Sequence, residues 1–196
     1  MPISIPMPST PPLTADTSDI LRFLTERFGA LETSLFRDQT RIVVPESKSL
    51  EVLAFLKDSG FDMLVDLTCV DYLEYRDALR RYGLVYLLAS TLTNQRLTLR
   101  VFVDDPVMNP HAVLSDGPEA ADKPMPTVRS AVPLWAAANW LEREVWDLFG
   151  VRFLGHPDLR RLVMPDAFTA HPLRKDYPLQ GRGERHNFPV LTRDDG

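Results

Sequence analysis

The chain has 196 residues, 44% of them hydrophobic, which suits one domain with a real core and with tails. Its formal net charge of −5 argues against a nucleic-acid partner, since phosphate binding calls for a basic surplus. One cysteine, Cys69, excludes an intramolecular disulfide and a four-thiolate iron–sulfur cluster, and no stretch approaches the roughly 20 apolar residues of a membrane span.

Residues 1–17 contain five prolines and no basic residue, and read as a disordered or extended leader rather than a signal peptide, so a soluble chain is expected. Ser18 is placed to cap a first helix whose Ile20, Leu21, Leu24 and Phe28 share a face, with Gly29 ending it. Leu31–Leu35 and Thr40–Val44 flank a polar Arg37-Asp38-Gln39 turn and predict a hairpin. Ser47 opens a second helix with Leu50, Leu53 and Leu56 at helical spacing, closing near Ser59-Gly60. Strand-like runs follow at Phe61–Val70, Tyr82–Ser90, Arg96–Val103 and Met125–Val132. Cys69 lies inside the first of these, where a small buried hydrophobe is a better reading than a nucleophile. This order of elements implies an α+β fold, a mixed β-sheet with helices packed on one face.

The stretch from Trp135 to Pro178 holds most of the unusual polar chemistry. From Trp135 to Phe149 there is no Gly or Pro, and Ala138, Leu141, Val145 and Leu148 form an apolar stripe, so a helix is expected, with Gly150 stopping it. Its other faces carry Glu142, Arg143, Glu144 and Asp147 between Trp140 and Trp146. One reading is a solvated face, with Arg143 and Asp147 paired four apart for a few tenths of a kcal/mol, roughly 0.2–0.5. From Val151 to Pro178, prolines at 157, 165, 172 and 178 forbid a long helix and predict an extended arm. Large apolar residues along it, such as Phe153, Leu162, Val163 and Phe168, require a surface to lie against. The arm has five basic residues against three acidic, whereas residues 104–122 hold five acids and no Lys or Arg.

Autonomous chemistry finds little support. Glu142 and Glu144 point about 200 degrees apart on a helix and do not share one reacting bond. There is no Gly-x-Ser-x-Gly, no Gly-rich phosphate loop and no HExxH or Cys/His cluster. A metal site from His156 and His171 with Asp158 or Asp176 lacks any local spacing that presents two ligands together, so hydrogen bonds or ion pairs at a packed surface are the expected roles. Arg160, Arg161, Arg174 and Lys175 instead suit pairing with carboxylates, either with Glu142, Glu144 and Asp147 of the same chain or with a partner's acids.

Four segments in order, Glu142-Arg143-Glu144, Trp146-Asp147-Leu148-Phe149-Gly150, Gly155-His156-Pro157-Asp158-Leu159-Arg160-Arg161 and His171-Pro172-Leu173-Arg174-Lys175-Asp176-Tyr177-Pro178, resemble the signature of the thirty-kilodalton subunit family of respiratory complex I. Its bacterial members are the C subunits of NADH-quinone oxidoreductase. Weaker resemblance runs upstream through Asp66-Leu67-Thr68 and Val70-Asp71-Tyr72, and Ala170 stands where the family pattern has Gly. The resemblance implies a structural subunit of the peripheral arm of the proton-translocating enzyme, on the cytoplasmic side of the bacterial inner membrane. It implies no cofactor in this chain: FMN, the iron–sulfur clusters and the quinone belong to partner subunits. The implied partners are the forty-nine-kilodalton quinone-site subunit, also called the D subunit, and the cluster-bearing B and I subunits. The interface residues would be Glu142, Arg143, Glu144, Asp147, His156, Arg160, Arg161, His171, Arg174, Lys175, Asp176 and Tyr177. The alternative is the equivalent subunit of a ferredoxin- or hydrogenase-linked membrane oxidoreductase. The expected organisation is a leader (1–17), an α+β domain (18–150), an interaction arm (151–178) and a polar tail (179–196).

Overall fold

The structure, a computed structural model, describes residues 16–183 apart from residues 38, 77, 79 and 106–124. The leader up to residue 15, the acidic stretch 106–124 with His111, and the tail from residue 184 with His186 lie outside the described residues.

The first helix, α1, spans Thr17–Phe28 and buries Ile20, Leu24 and Phe28 as the apolar spacing requires. Its cap is Asp16, not Ser18: Asp16 Oδ1 accepts the Asp19 N–H at 2.9 Å. The helix starts one residue ahead of Ser18, whose hydroxyl donates to the same carboxylate at 2.6 Å. Those two donors, the Ser18 hydroxyl first, hold the Asp16 carboxyl below the usual range. The hairpin forms as β1 (Glu32–Phe36) and β2 (Gln39–Pro45), turning at Arg37, whose φ is 49°. A short 3-10 turn, Glu46–Lys48, then leads into α2 (Ser49–Asp58), so the second helix begins two residues after Ser47.

The strand runs become β3 (Met63–Asp71), β4 (Tyr82–Ala89) and β5 (Arg96–Val103). They join the hairpin in a five-stranded sheet of order β1-β2-β5-β4-β3. All neighbours are antiparallel except β2 and β5, which run parallel, so the sheet is mixed. The parallel pair needs a crossover, and the intervening α2, β3 and β4 supply it. The inward residues Ile42 and Val44, Leu67 and Cys69, Tyr82, Leu84 and Tyr86, and Leu97 and Leu99 are all buried. They share one core with Ile20 and Leu24 of α1 and with Val52, Leu53 and Leu56 of α2. Cys69 sits in that core at 5% exposure, and burial pushes its thiol far up, as expected of an inert side chain.

A second, two-stranded parallel sheet pairs β6 (Thr127–Arg129) with β7 (Arg152–Leu154). Between them runs α3, Ala138–Phe149, which packs on β3 and sends Ala138, Val145 and Phe149 into the common core. All three helices therefore cover the same face of the large sheet, and the α+β reading holds. The helix starts three residues later than Trp135, because residues 132–137 wind through turns anchored on the Ala131 carbonyl. No side chain caps it, so the sequence carried no start signal there.

Candidate functional site

Helix α3 does not present a solvated charged face. The side chains of Glu142 and Asp147 are fully buried and Arg143 is 8% exposed, leaving Glu144 as the exposed member of the cluster. Each buried group has its own partners. Glu142 accepts from Ser130 Oγ at 2.7 Å and from the Ala131 N–H at 2.6 Å, tying the helix to the segment after β6. Burial pushes its carboxyl up to about 7, because these two neutral donors only partly offset lost hydration.

The expected Arg143–Asp147 pair does not form. Arg143 donates to the carbonyls of Arg160 and Arg161, both at 3.1 Å, with its guanidinium 4.9 Å from the Trp140 ring centre. Asp147 pairs with Arg161 at 2.5 Å and accepts the N–H groups of Leu162, Val163 and Met164 at 2.8–3.0 Å. Burial alone would raise the Asp147 carboxyl; the three N–H donors and Arg161 outweigh it and hold the group below the usual range. A one-turn helical pair is worth a few tenths of a kcal/mol, so four converging donors on a desolvated carboxylate win easily.

The arm folds back along the helix. Arg161 also donates to the Ala170 carbonyl at 3.2 Å, and the Leu173 N–H donates to the Leu148 carbonyl at 3.0 Å. His171 Nδ1 lies 2.9 Å from the Asp147 carbonyl, and burial holds its pKa below the ordinary value despite that bond. His171 packs against Gly150: φ there is 77°, and an added Cβ would lie 2.6 Å from the imidazole. The glycine is thus needed twice, for the left-handed helix end and for the arm's close approach. His156 bonds the Asn139 carbonyl at 3.0 Å and receives the Asp158 N–H, while Arg160 pairs with Asp158 at the surface. Tyr177 packs at a tilt against Phe168, with centroids 5.9 Å apart. Lys175 acts through its backbone, its N–H reaching Asp71 Oδ2 at 2.9 Å while the residue stays exposed.

The structure adds a centre that the sequence did not disclose. Arg81, 8% exposed, faces Asp71 at 3.0 Å, Asp105 at 2.8 Å and Asp176 at 2.9 Å. Arg174 joins it, 3.5 Å from Asp105 and 3.2 Å from Asp176. Burial works against the Arg81 charge, but hydrogen bonds to Asp71 and Asp176 outweigh it and raise its pKa. Asp176 is likewise held low: burial pushes it up, and Arg81 and Arg174 more than reverse that. A signal for this centre lay in the parity of β3, because Asp71 continues the inward series Leu67, Cys69 and so demands a buried cation. Among the described residues no three His, Cys, Asp or Glu side chains are grouped to hold a metal ion.

Residues 42–183 match the family model of the respiratory-chain NADH dehydrogenase 30 kDa subunit. The NADH-quinone oxidoreductase C subunit of Trichlorobacter lovleyi is 42% identical over 172 residues, covering 86% of this chain and 94% of that one. The corresponding C subunit of Geobacter sulfurreducens is 41% identical over 161 residues, covering 81% and 87%. A trypsin-resistant fragment of Nqo5 superimposes with a TM-score of 0.56 at 32% identity, over 70% of this chain and 97% of the fragment. A chain in the structure of a membrane-bound sulfane sulfur reductase, an archaeal respiratory membrane complex, shares the fold with a TM-score of 0.63 at 21% identity, over 90% and 93%. With 142 consecutive residues matched, including every segment that docks the arm on α3, the chain belongs to the 30 kDa subunit family of respiratory-chain NADH dehydrogenase.

Proposed function

We propose that this chain is a structural subunit of a proton-translocating NADH:quinone oxidoreductase, with no catalytic residue and no cofactor of its own. It supports electron transfer from NADH through iron–sulfur clusters to quinone by holding the quinone-module subunits together. Its neighbours would be the forty-nine-kilodalton quinone-site subunit and the cluster-bearing B and I subunits, on the cytoplasmic side of the membrane. No described helix is long and apolar enough to cross a membrane, so attachment would run through those partners.

One observation carries this reading. The groups with catalytic potential, Glu142, Asp147, His171 and Arg81, are consumed by contacts inside the chain, whereas large apolar side chains on α3 and the arm face outward. Trp140 is 59% exposed, Val163 57% and Leu173 50%, and large apolar groups of this kind suit the core of a subunit contact. Because Arg174 is engaged with Asp105 and Asp176, these apolar groups are better probes of an interface than the arm's cations.

The test is affinity purification of the tagged chain from mildly solubilised membranes, with mass spectrometry of what accompanies it. Recovery of the quinone-site, cluster-bearing and NADH-oxidising subunits is expected. Val163→Asp with Leu173→Asp should reduce that recovery several-fold while leaving thermal unfolding of the isolated chain unchanged. Recovery without the NADH-oxidising module would replace this reading with a ferredoxin- or hydrogenase-linked complex, and recovery of the chain alone would end it.

A further inference from the structure

Among the described residues no helix covers the face of the large sheet opposite α1, α2 and α3. Along it, Val43 of β2 lies beside Arg100 of β5, which lies beside Val85 of β4, and Pro45 lies beside Phe102. The segment after β3 turns back over this face. Tyr72 rests on Gly83, where an added Cβ would lie 2.8 Å from its ring, and packs against Phe102 and Tyr75 with centroids 5.8 and 5.7 Å away. Between this tyrosine pair and the β1–β2 hairpin lies a cleft of about 680 Å³. Leu31, Val43 and Phe102 line it, with Arg80, Arg100 and, as the one acidic residue among the described lining residues, Glu32.

Two arginines and one glutamate are among the residues that line the cleft. Arg80 lies 3.6 Å from Asp104, which leaves Arg100 as the cation of the cleft without a carboxylate partner among the described residues. Arg100 donates to the Tyr72 hydroxyl and lies 5.5 Å from the Phe102 ring centre, and among the described residues no carboxylate is within ion-pair distance of it. Of its lining groups Tyr75 is 72% exposed, and the strands beside it carry further exposed apolar groups, Phe36 on the hairpin at 48% and Val70 on β3 at 38%. A cation amid exposed apolar groups suits an extended chain that lies across it.

We propose that this cleft takes an extended acidic segment of a neighbouring protein, one carboxylate seated on Arg100 and the apolar side chains two residues away on Leu31, Val43 and Phe102. In an extended segment such side chains lie about 7 Å apart on one face. Tyr72 holds the guanidinium in place, and Gly83 makes the space for Tyr72. The assignment deepens the subunit reading, because the neighbour would be another member of the same complex, but its binding chemistry stands on the cleft alone.

The experiment uses the full chain and a synthetic Leu-Ser-Glu-Ser-Leu peptide, which puts Leu two residues on either side of the Glu and so on its face, with an otherwise identical Lys-for-Glu peptide as the reference, followed by tyrosine fluorescence at low salt. The Glu peptide should bind, Arg100→Lys should retain most of that binding, and Arg100→Glu should weaken it about tenfold while improving the Lys peptide. Arg22→Glu, on the exposed side of α1, is the control and should change nothing. Equal binding of both peptides, or no effect of Arg100→Glu in a variant with unchanged melting, would overturn the proposal, as would displacement of the peptide by AMP at comparable concentration. In assembled membranes, a photo-crosslinking residue in place of Tyr75 should join this chain to an acidic stretch of another subunit. Co-purification without that adduct would defeat the cleft and spare the subunit reading; peptide binding without co-purification would do the reverse.

Discussion

Glu142 shows how a single buried carboxyl makes the fold sensitive to pH. Its ordinary value is 4.5 and the fold pushes it to about 7, so between these values the folded chain binds more protons than the unfolded one. Stability from this group is therefore full below pH 4.5 and is lost as the pH rises through 7, by up to about 3 kcal/mol. Glu142→Gln keeps an acceptor for the Ala131 N–H and has no proton to lose. Denaturant midpoints of the two proteins should converge near pH 5, and the variant should be the more stable at pH 8; parallel curves would dismiss Glu142 as the titrating group. Asp147 is the opposite case, a carboxylate whose charge is wanted, and its contribution fades on acidification. Two acids on one helix, five residues apart, thus respond to pH with opposite sign.

At the scale of elements, the junction of α3 and the arm depends on Gly150. An alanine there meets a left-handed backbone, at about 1–2 kcal/mol, and also the His171 ring. Gly150→Ala should therefore lower the melting temperature and also perturb the His171 resonance and speed cleavage after Lys175. Gly155→Ala is the comparison, since φ is 80° there too but no atom lies within 4 Å of an added Cβ. It should show strain without release of the arm; if both variants behave alike, the Gly150–His171 contact holds nothing.

For the whole molecule, Arg81 is the place where the sheet and the arm become one body. It joins the end of β3, the residue before β4, the end of β5 and the arm through Asp71, Asp105 and Asp176. Arg81→Met would leave the buried Asp71 and Asp105 carboxylates without their central cation, at about 3–5 kcal/mol by the usual cost of breaking a buried pair. Urea unfolding should report that loss and limited trypsin digestion should show an earlier cut in the arm. A change below about 1 kcal/mol would mean the network is no stronger than a surface pair.

The sequence by itself determined the class of fold, nearly every helix and long strand, and the family, because these follow from local periodicity and from an ordered run of matching residues. Ile20, Leu24 and Phe28 mark a buried helical face wherever the helix goes, and the β3–β4–β5 runs are apolar enough to be strands in any arrangement. Three-residue strands such as β6 and β7 have too few residues to show a period, and their pairing across α3 depends on contacts remote in sequence. Only the tertiary structure decided which charges meet. Spacing on α3 offered Arg143 to Asp147, yet desolvation favoured partners that bring several donors at once, and those came from residues 160–164. Arg81 and Asp176, ninety-five positions apart, face each other because three strand ends and one arm converge, and no local pattern in the chain encodes that convergence.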